Sequence, residues 1–146
     1  MSYGTYLNED EQARRDVLTH SPVIAIVGRS DDHYYTSYDV GEYLKEQGFT
    51  VYSVNPNIEE IDGEKVYASL ADIPEHVNIV DVFRNARYLQ EVVDEAIAIK
   101  ADTVWGQLTV IDDRARANAI QAGLNFAQDL CIRTEHERLF KNMVQG

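Results

Sequence analysis

Two short stretches carry residue types at a spacing that can hold phosphate. Val23-Ile24-Ala25-Ile26-Val27 breaks into Gly28-Arg29-Ser30-Asp31, and Thr50-Val51-Tyr52-Ser53-Val54 breaks into Asn55-Pro56-Asn57. A helical pattern between them ends at Gly48. Strand, glycine turn, helix and strand make a β-α-β unit, in which backbone N–H groups and a helix N-terminus meet an anion at the first turn. NAD-binding units place an acid roughly 20 residues beyond the glycine fingerprint, where it hydrogen-bonds the ribose. This chain has Asn55-Pro56 there and Gly28 without further fingerprint glycines. The unit invites a dinucleotide, and its details argue against NAD.

Other chemistries find little support. There is no Gly-x-Ser-x-Gly elbow, His-Glu-x-x-His helix or Walker loop, so no catalytic residue is expected. His20, His33, His76 and His136 lie far apart without partners at ligand spacing, so no metal site is expected either. The single cysteine, Cys131, excludes an internal disulfide and reads as a small buried hydrophobe. A net charge of −12 argues against a nucleic-acid partner, which needs a basic surface. A phosphate ligand would have to rely on backbone N–H groups, a helix terminus and a few arginines. No apolar run approaches the roughly 18 residues of a membrane span, and Met1–Tyr6 lacks a signal-peptide layout, so a cytoplasmic protein is expected.

The positioning elements follow from the patterning. With 146 residues and 45% hydrophobic content, the chain suits one domain over residues 1–146. A helix over about 8–19, capped by Asn8, precedes the first strand. The next helix begins near Thr36 or Ser37, with Thr36 and Asp39 resembling a capping box, and Gly48 closes it. Gly41 inside it implies close packing of helix on sheet. A short strand near Val66, a strand over 78–83 and a strongly amphipathic helix capped by Asn85 come next. Asp81, inside its strand, is expected to cap a neighbouring helix or loop. A strand at 103–106, a helix over 112–122, a strand at 125–127 and a helix over about 134–144 complete the pattern. Strands alternating with helices predict an α/β, Rossmann-like doubly wound sheet of about five parallel strands with helices on both faces. Its ligand belongs at the carboxyl ends of the strands.

The residues at those ends resemble a known family. Ile-Ala-Ile-Val-Gly-x-Ser, Val-Asn-Pro, Asp-Ile-Pro, Val-Asp-Val-Phe-Arg, Trp-x-Gln and Asp-x-Cys occur in the order seen in small single-domain CoA-binding proteins of bacteria. These are similar to the CoA-binding domain of the succinyl-CoA synthetase α subunit. The resemblance spans roughly residues 8 to 140. It implies coenzyme A or an acyl-CoA as ligand, with the Gly28 turn, Ser30 and Ser37 donating to the pyrophosphate and Arg29 supplying charge. Asn55 and Pro56 would line the adenosine end, Phe83 would pack on the ligand and Arg84 would reach a phosphate. Trp105 and Gln107 would border the pantetheine side, near which Cys131 invites a mixed disulfide with the CoA thiol.

Bland alternatives stand beside these roles. Gly28 serves equally as a strand-ending turn, Arg29 as a solvated arginine, Phe83 and Trp105 as core aromatics, and Arg84 as the partner of a surface carboxylate. The chain also departs from the family pattern. Asn57 stands where a basic residue is common, Tyr35-Thr36-Ser37-Tyr38 replaces Arg-Pro-Ser-Tyr, and Thr109 replaces a glycine. Tyr34, Tyr35 and Tyr38 offer stacking surface in exchange. The expected function is non-catalytic binding of CoA or acyl-CoA, as a sensor or carrier. The alternatives are an oxidoreductase-type NAD(P) domain and a protein-interaction subunit that has lost its nucleotide. The expected partner is a small-molecule nucleotide ligand, with no nucleic acid, no membrane and an unknown protein partner.

Overall fold

A computed structural model describes residues 2–141 of the chain. Strands β1 (Val23–Val27), β2 (Thr50–Val54), β3 (Glu60–Ile61), β4 (Glu64–Tyr67), β5 (Ile79–Val82), β6 (Thr103–Gly106) and β7 (Asn125–Ala127) form one sheet in the order β3-β4-β2-β1-β5-β6-β7. Every neighbouring pair is parallel except β3 with β4. The helices are α1 (Glu11–Thr19), α2 (Thr36–Glu46), α3 (Leu89–Ala98), α4 (Asp113–Gln121) and α5 (Ile132–His136). The doubly wound α/β sheet expected from the sequence is present, extended beyond β2 by a hairpin. Of that hairpin only β4 carries a readable strand signal, because two residues are too few for alternation to register in β3.

Central strands buried on both faces read as continuous apolar runs, and all five residues of β1 are buried. On one face, Val80 and Val82 pack with Leu89, Val92 and Ala96 of α3 and with Ala115 and Ala119 of α4. On the other, Ile24, Ile26 and Ile79 pack with Leu18, Val40, Leu44 and Ile132 from α1, α2 and α5. No helix among the described residues is long and apolar enough to cross a membrane.

Helix starts differ from the sequence reading where side chains have better partners elsewhere. Asp10, and not Asn8, caps α1, its carboxylate accepting the Ala13 N–H at 3.0 Å. The Asn8 amide is instead paired with the Gln128 backbone, donating at 2.7 Å and accepting at 3.0 Å. The expected Thr36–Asp39 box does not form: Tyr35 is the N-cap of α2, no side chain caps it, and Asp39 pairs with Arg133. Asn85 accepts the Arg87 N–H and starts a 3₁₀ turn that leads into α3. The last helix starts at Ile132, two residues before Thr134, because Ile132 is fully buried in the core. It becomes π-helical over Glu137–Lys141, and its expected continuation over 142–144 lies outside the described residues.

Ahead of α1, the chain runs beside β7. Tyr6 bridges Phe126 in parallel, the Phe126 N–H donates to the Thr5 carbonyl at 2.9 Å, and the Thr5 N–H donates to the Asn125 side chain at 3.0 Å. Leu7 is fully buried. At the centre of the sheet, β1 is followed by β2 on one side and flanked by β5 on the other. The strand order therefore reverses between β1 and β5, the point at which open α/β sheets accept ligands.

Candidate ligand cleft at the carboxyl edge of the sheet

Two cavities meet at that reversal, and Arg84 lines both. One, about 390 Å³, lies over the ends of β1 and β2 and is lined by Gly28, Asn55, Pro56 and Asn57, with Glu91 and Glu95 from α3. The other, about 600 Å³, lies over β5 and β6 and is lined by Thr36, Phe83, Gln107, Leu108, Thr109 and Cys131.

Gly28 is required at its position for two reasons. Its φ is +87°, and a Cβ there would lie 2.6 Å from the Phe83 carbonyl oxygen, so any side chain would wedge β1 from β5 at the cleft. Its N–H already donates to the Val54 carbonyl at 2.8 Å, and the Ser30 N–H to the Ser37 hydroxyl at 2.9 Å. The Ser30 hydroxyl accepts the Asp32 N–H. The Gly28 and Ser30 N–H groups are thus used in shaping the turn, while Ser30 and Ser37 act there as acceptors and keep their hydroxyl hydrogens for donation. Also open to a ligand are the first N–H groups of α2, which no side chain caps, and Thr36 at that end lines the larger cavity. Across the turn, Asn55 donates to the Arg29 carbonyl at 3.0 Å and accepts the Asn57 N–H at 2.9 Å.

Arg29 is neither a solvated arginine nor a cleft residue. It is 1% exposed and points back under α2. There it pairs with Glu42 at 2.7 Å and donates to the Ser53 hydroxyl at 3.1 Å and the Tyr38 carbonyl at 3.2 Å. Gly41 makes room for it: a Cβ on Gly41 would lie 2.4 Å from the guanidinium carbon. The close approach inferred from Gly41 is real, but the neighbour is an arginine side chain rather than the sheet. Tyr38 covers the same guanidinium, its ring centroid 5.1 Å away. The Tyr38 hydroxyl donates to Asp62, a bond that pushes its pKa up to about 12. Tyr38 therefore faces away from the cleft, while Tyr34 and Tyr35 are exposed.

Trp105 is wholly buried, its indole N–H donating to the Leu130 carbonyl at 2.9 Å, so it is a core residue and not a border of the cleft. Gln107 and Phe83 do line the larger cavity. The Gln107 carbonyl accepts the Ile132 N–H at 3.1 Å, which fixes the side chain between β6 and α5. Thr109 adopts φ +69°, a left-handed conformation unfavourable for a β-branched residue, and its N–H is held by the Asp129 carboxylate at 2.8 Å.

Among the described residues, Arg84 is the one arginine that lines either cavity. Its guanidinium lies 4.1 Å from the Tyr88 ring centroid, and among the described residues no carboxylate forms an ion pair with it. The charged groups nearby are glutamates. Burial raises the Glu95 carboxyl above its ordinary pKa, the Glu91 charge adds to the rise and Arg84 opposes it. Sequence reasoning missed both glutamates. Their i, i+4 spacing on a helix that starts at the carboxyl edge was the available signal.

Asp81 caps nothing. Its carboxyl is fully buried in β5 and neither oxygen has a hydrogen-bond partner. Burial, and then the nearby Cys131, push its pKa well above the usual carboxylate value. Cys131 itself is half-buried, packed on the core and lining the larger cavity.

A parallel sheet with an open cleft at its order reversal defines a nucleotide-binding class of fold. Within that class, residues 22–137 match the CoA binding domain family, and the chain belongs to it. The chain is 32% identical over 129 residues to the uncharacterized Bacillus subtilis protein YneT, spanning 88% of this chain and 96% of that one. It is 36% identical over 73 residues to the ADP-forming acetate–CoA ligase II subunit alpha of Pyrococcus furiosus, covering 49% of this chain but 16% of that subunit. A hypothetical protein from Pyrococcus horikoshii superposes with a TM-score of 0.87 at 36% identity, over 95% of this chain and 99% of that one.

Proposed function

We propose that the protein binds coenzyme A or an acyl-CoA across Arg84, as a non-catalytic sensor or carrier module. The observation that carries this reading is an unpaired arginine standing between two cavities on the carboxyl edge of the sheet. The adenosine occupies the smaller cavity beside Asn55 and Pro56. The pyrophosphate lies between Arg84 and the uncapped start of α2, where helix dipole and free N–H groups favour an anion. The pantetheine arm runs along Phe83 and Gln107 toward Cys131. Family membership and the ligase relative support this choice of ligand. Phosphate charge is met by one guanidinium and backbone dipoles, as an acidic chain requires.

Native mass spectrometry of freshly purified protein and calorimetric titration with CoA and acetyl-CoA test the reading. Arg84→Ala should weaken binding about 10- to 100-fold, the value of a charge-assisted hydrogen bond. Absence of both a co-purified ligand and titratable binding would favour the interaction-subunit alternative.

A further inference from the structure

In a doubly wound sheet the ribose of the adenosine lies at the carboxyl end of β2, so charges lining that cavity decide which ribose substituents are accepted. The smaller cavity has one cation, Arg84, and two carboxylates, Glu91 and Glu95. Asn57, at the rim, is neutral. The basic residues on adjoining elements, Lys65 and Arg87 included, line neither cavity. Arg29 is buried against Glu42, and Lys45 bridges Glu42 at 3.2 Å and Glu64 at 2.8 Å. Arg87 shares the Tyr88 ring but lines neither cavity.

With Arg84 engaged by the pyrophosphate, no second cation among the described residues lines the cavity to neutralise a phosphomonoester, which carries about −1.5 to −2 charge at pH 7. Placed on the ribose, it would face two carboxylates in a concave, partly desolvated site, and like charges so placed suppress binding. Free ribose hydroxyls are the opposite case. They donate hydrogen bonds, and ionised carboxylates are acceptors only. Dinucleotide sites meet a ribose with an acid at the end of β2; here the acids come from α3, across the strand-order reversal.

We infer that the cavity selects an adenosine with an unphosphorylated ribose, so that among pantetheine nucleotides the protein prefers 3′-dephospho-CoA to CoA through Glu91 and Glu95. This rests on the reading of the cleft as a CoA-type site. Calorimetric titration of the full chain with the two ligands, repeated on Glu91→Gln/Glu95→Gln, tests it; Glu91 is exposed and Glu95 only part-buried, and circular dichroism verifies the fold. The expected result is binding of 3′-dephospho-CoA at least about tenfold tighter than CoA, with the preference falling severalfold in the double variant because CoA binding improves. Equal or tighter binding of CoA by the unaltered protein would overturn the inference and leave the CoA-site reading standing. A preference unchanged by the double variant would overturn the role of the glutamates. Failure of both ligands to bind would overturn the reading of the site as well.

Discussion

Arg29 and Arg84 lie at neighbouring strand ends, and burial gives them opposite consequences on substitution. Arg29→Ala removes a guanidinium that ties β1, β2 and α2 together. It should lower unfolding free energy by about 2–3 kcal/mol in urea titration, less than for a fully buried pair because Glu42 is part exposed. Asp81 gives a pH-dependent counterpart. Its folded pKa lies above its unfolded value, so the native state holds the proton more tightly. The stability contributed by that proton is fully present below the unfolded pKa, near 4, and is lost as pH rises through the folded pKa. Asp81→Asn abolishes the titration, so the stability of the natural protein relative to this variant should fall steadily from pH 4 upward. A pH-independent difference in denaturant unfolding would contradict a neutral Asp81. Residue roles were the least legible part of the sequence. Arg29 follows a glycine turn whichever way it points, and only the glycine at position 41, twelve residues on in another element, records where it goes.

At the level of elements, legibility followed the strength of the local pattern. β1, β5, β6 and α3 have long apolar periodicities and stand within a residue or two of where the sequence reading put them. The starts of α1 and α5 shifted, and α2 began where expected but without its Thr36–Asp39 box, because a cap is chosen by tertiary contacts. Asn8 is a good cap by type, yet Gln128 claims its amide. The β6–α4 loop shows the reverse case, a departure in sequence with a direct structural correlate. Thr109, where the family resemblance led to the expectation of a glycine, occupies a left-handed conformation that costs about 1 kcal/mol or more. Thr109→Gly should therefore raise stability by up to about 1 kcal/mol, offset in part by the greater freedom of glycine in the unfolded chain. A melting temperature lower than that of the natural protein would assign the threonine a contact that outweighs its strain.

The whole molecule couples its stability to the cleft, because the cavities are bounded by loops after β1, β2, β5 and β6 and by the starts of α2 and α3. A ligand that binds only the folded state at 100 times its dissociation constant adds about 2.7 kcal/mol, so CoA or 3′-dephospho-CoA should raise the thermal midpoint in a concentration-dependent way. No shift at saturating concentrations would count against binding. The strap laid along β7 by residues 4–7 bears on a different property. An uncovered parallel edge offers a row of unpaired N–H and C=O groups to any passing chain. Here that row is occupied by Thr5 and Tyr6, with buried Leu7 as anchor. Clipping these few residues would leave every cleft residue in the chain and still turn the molecule into a template for its own polymerisation.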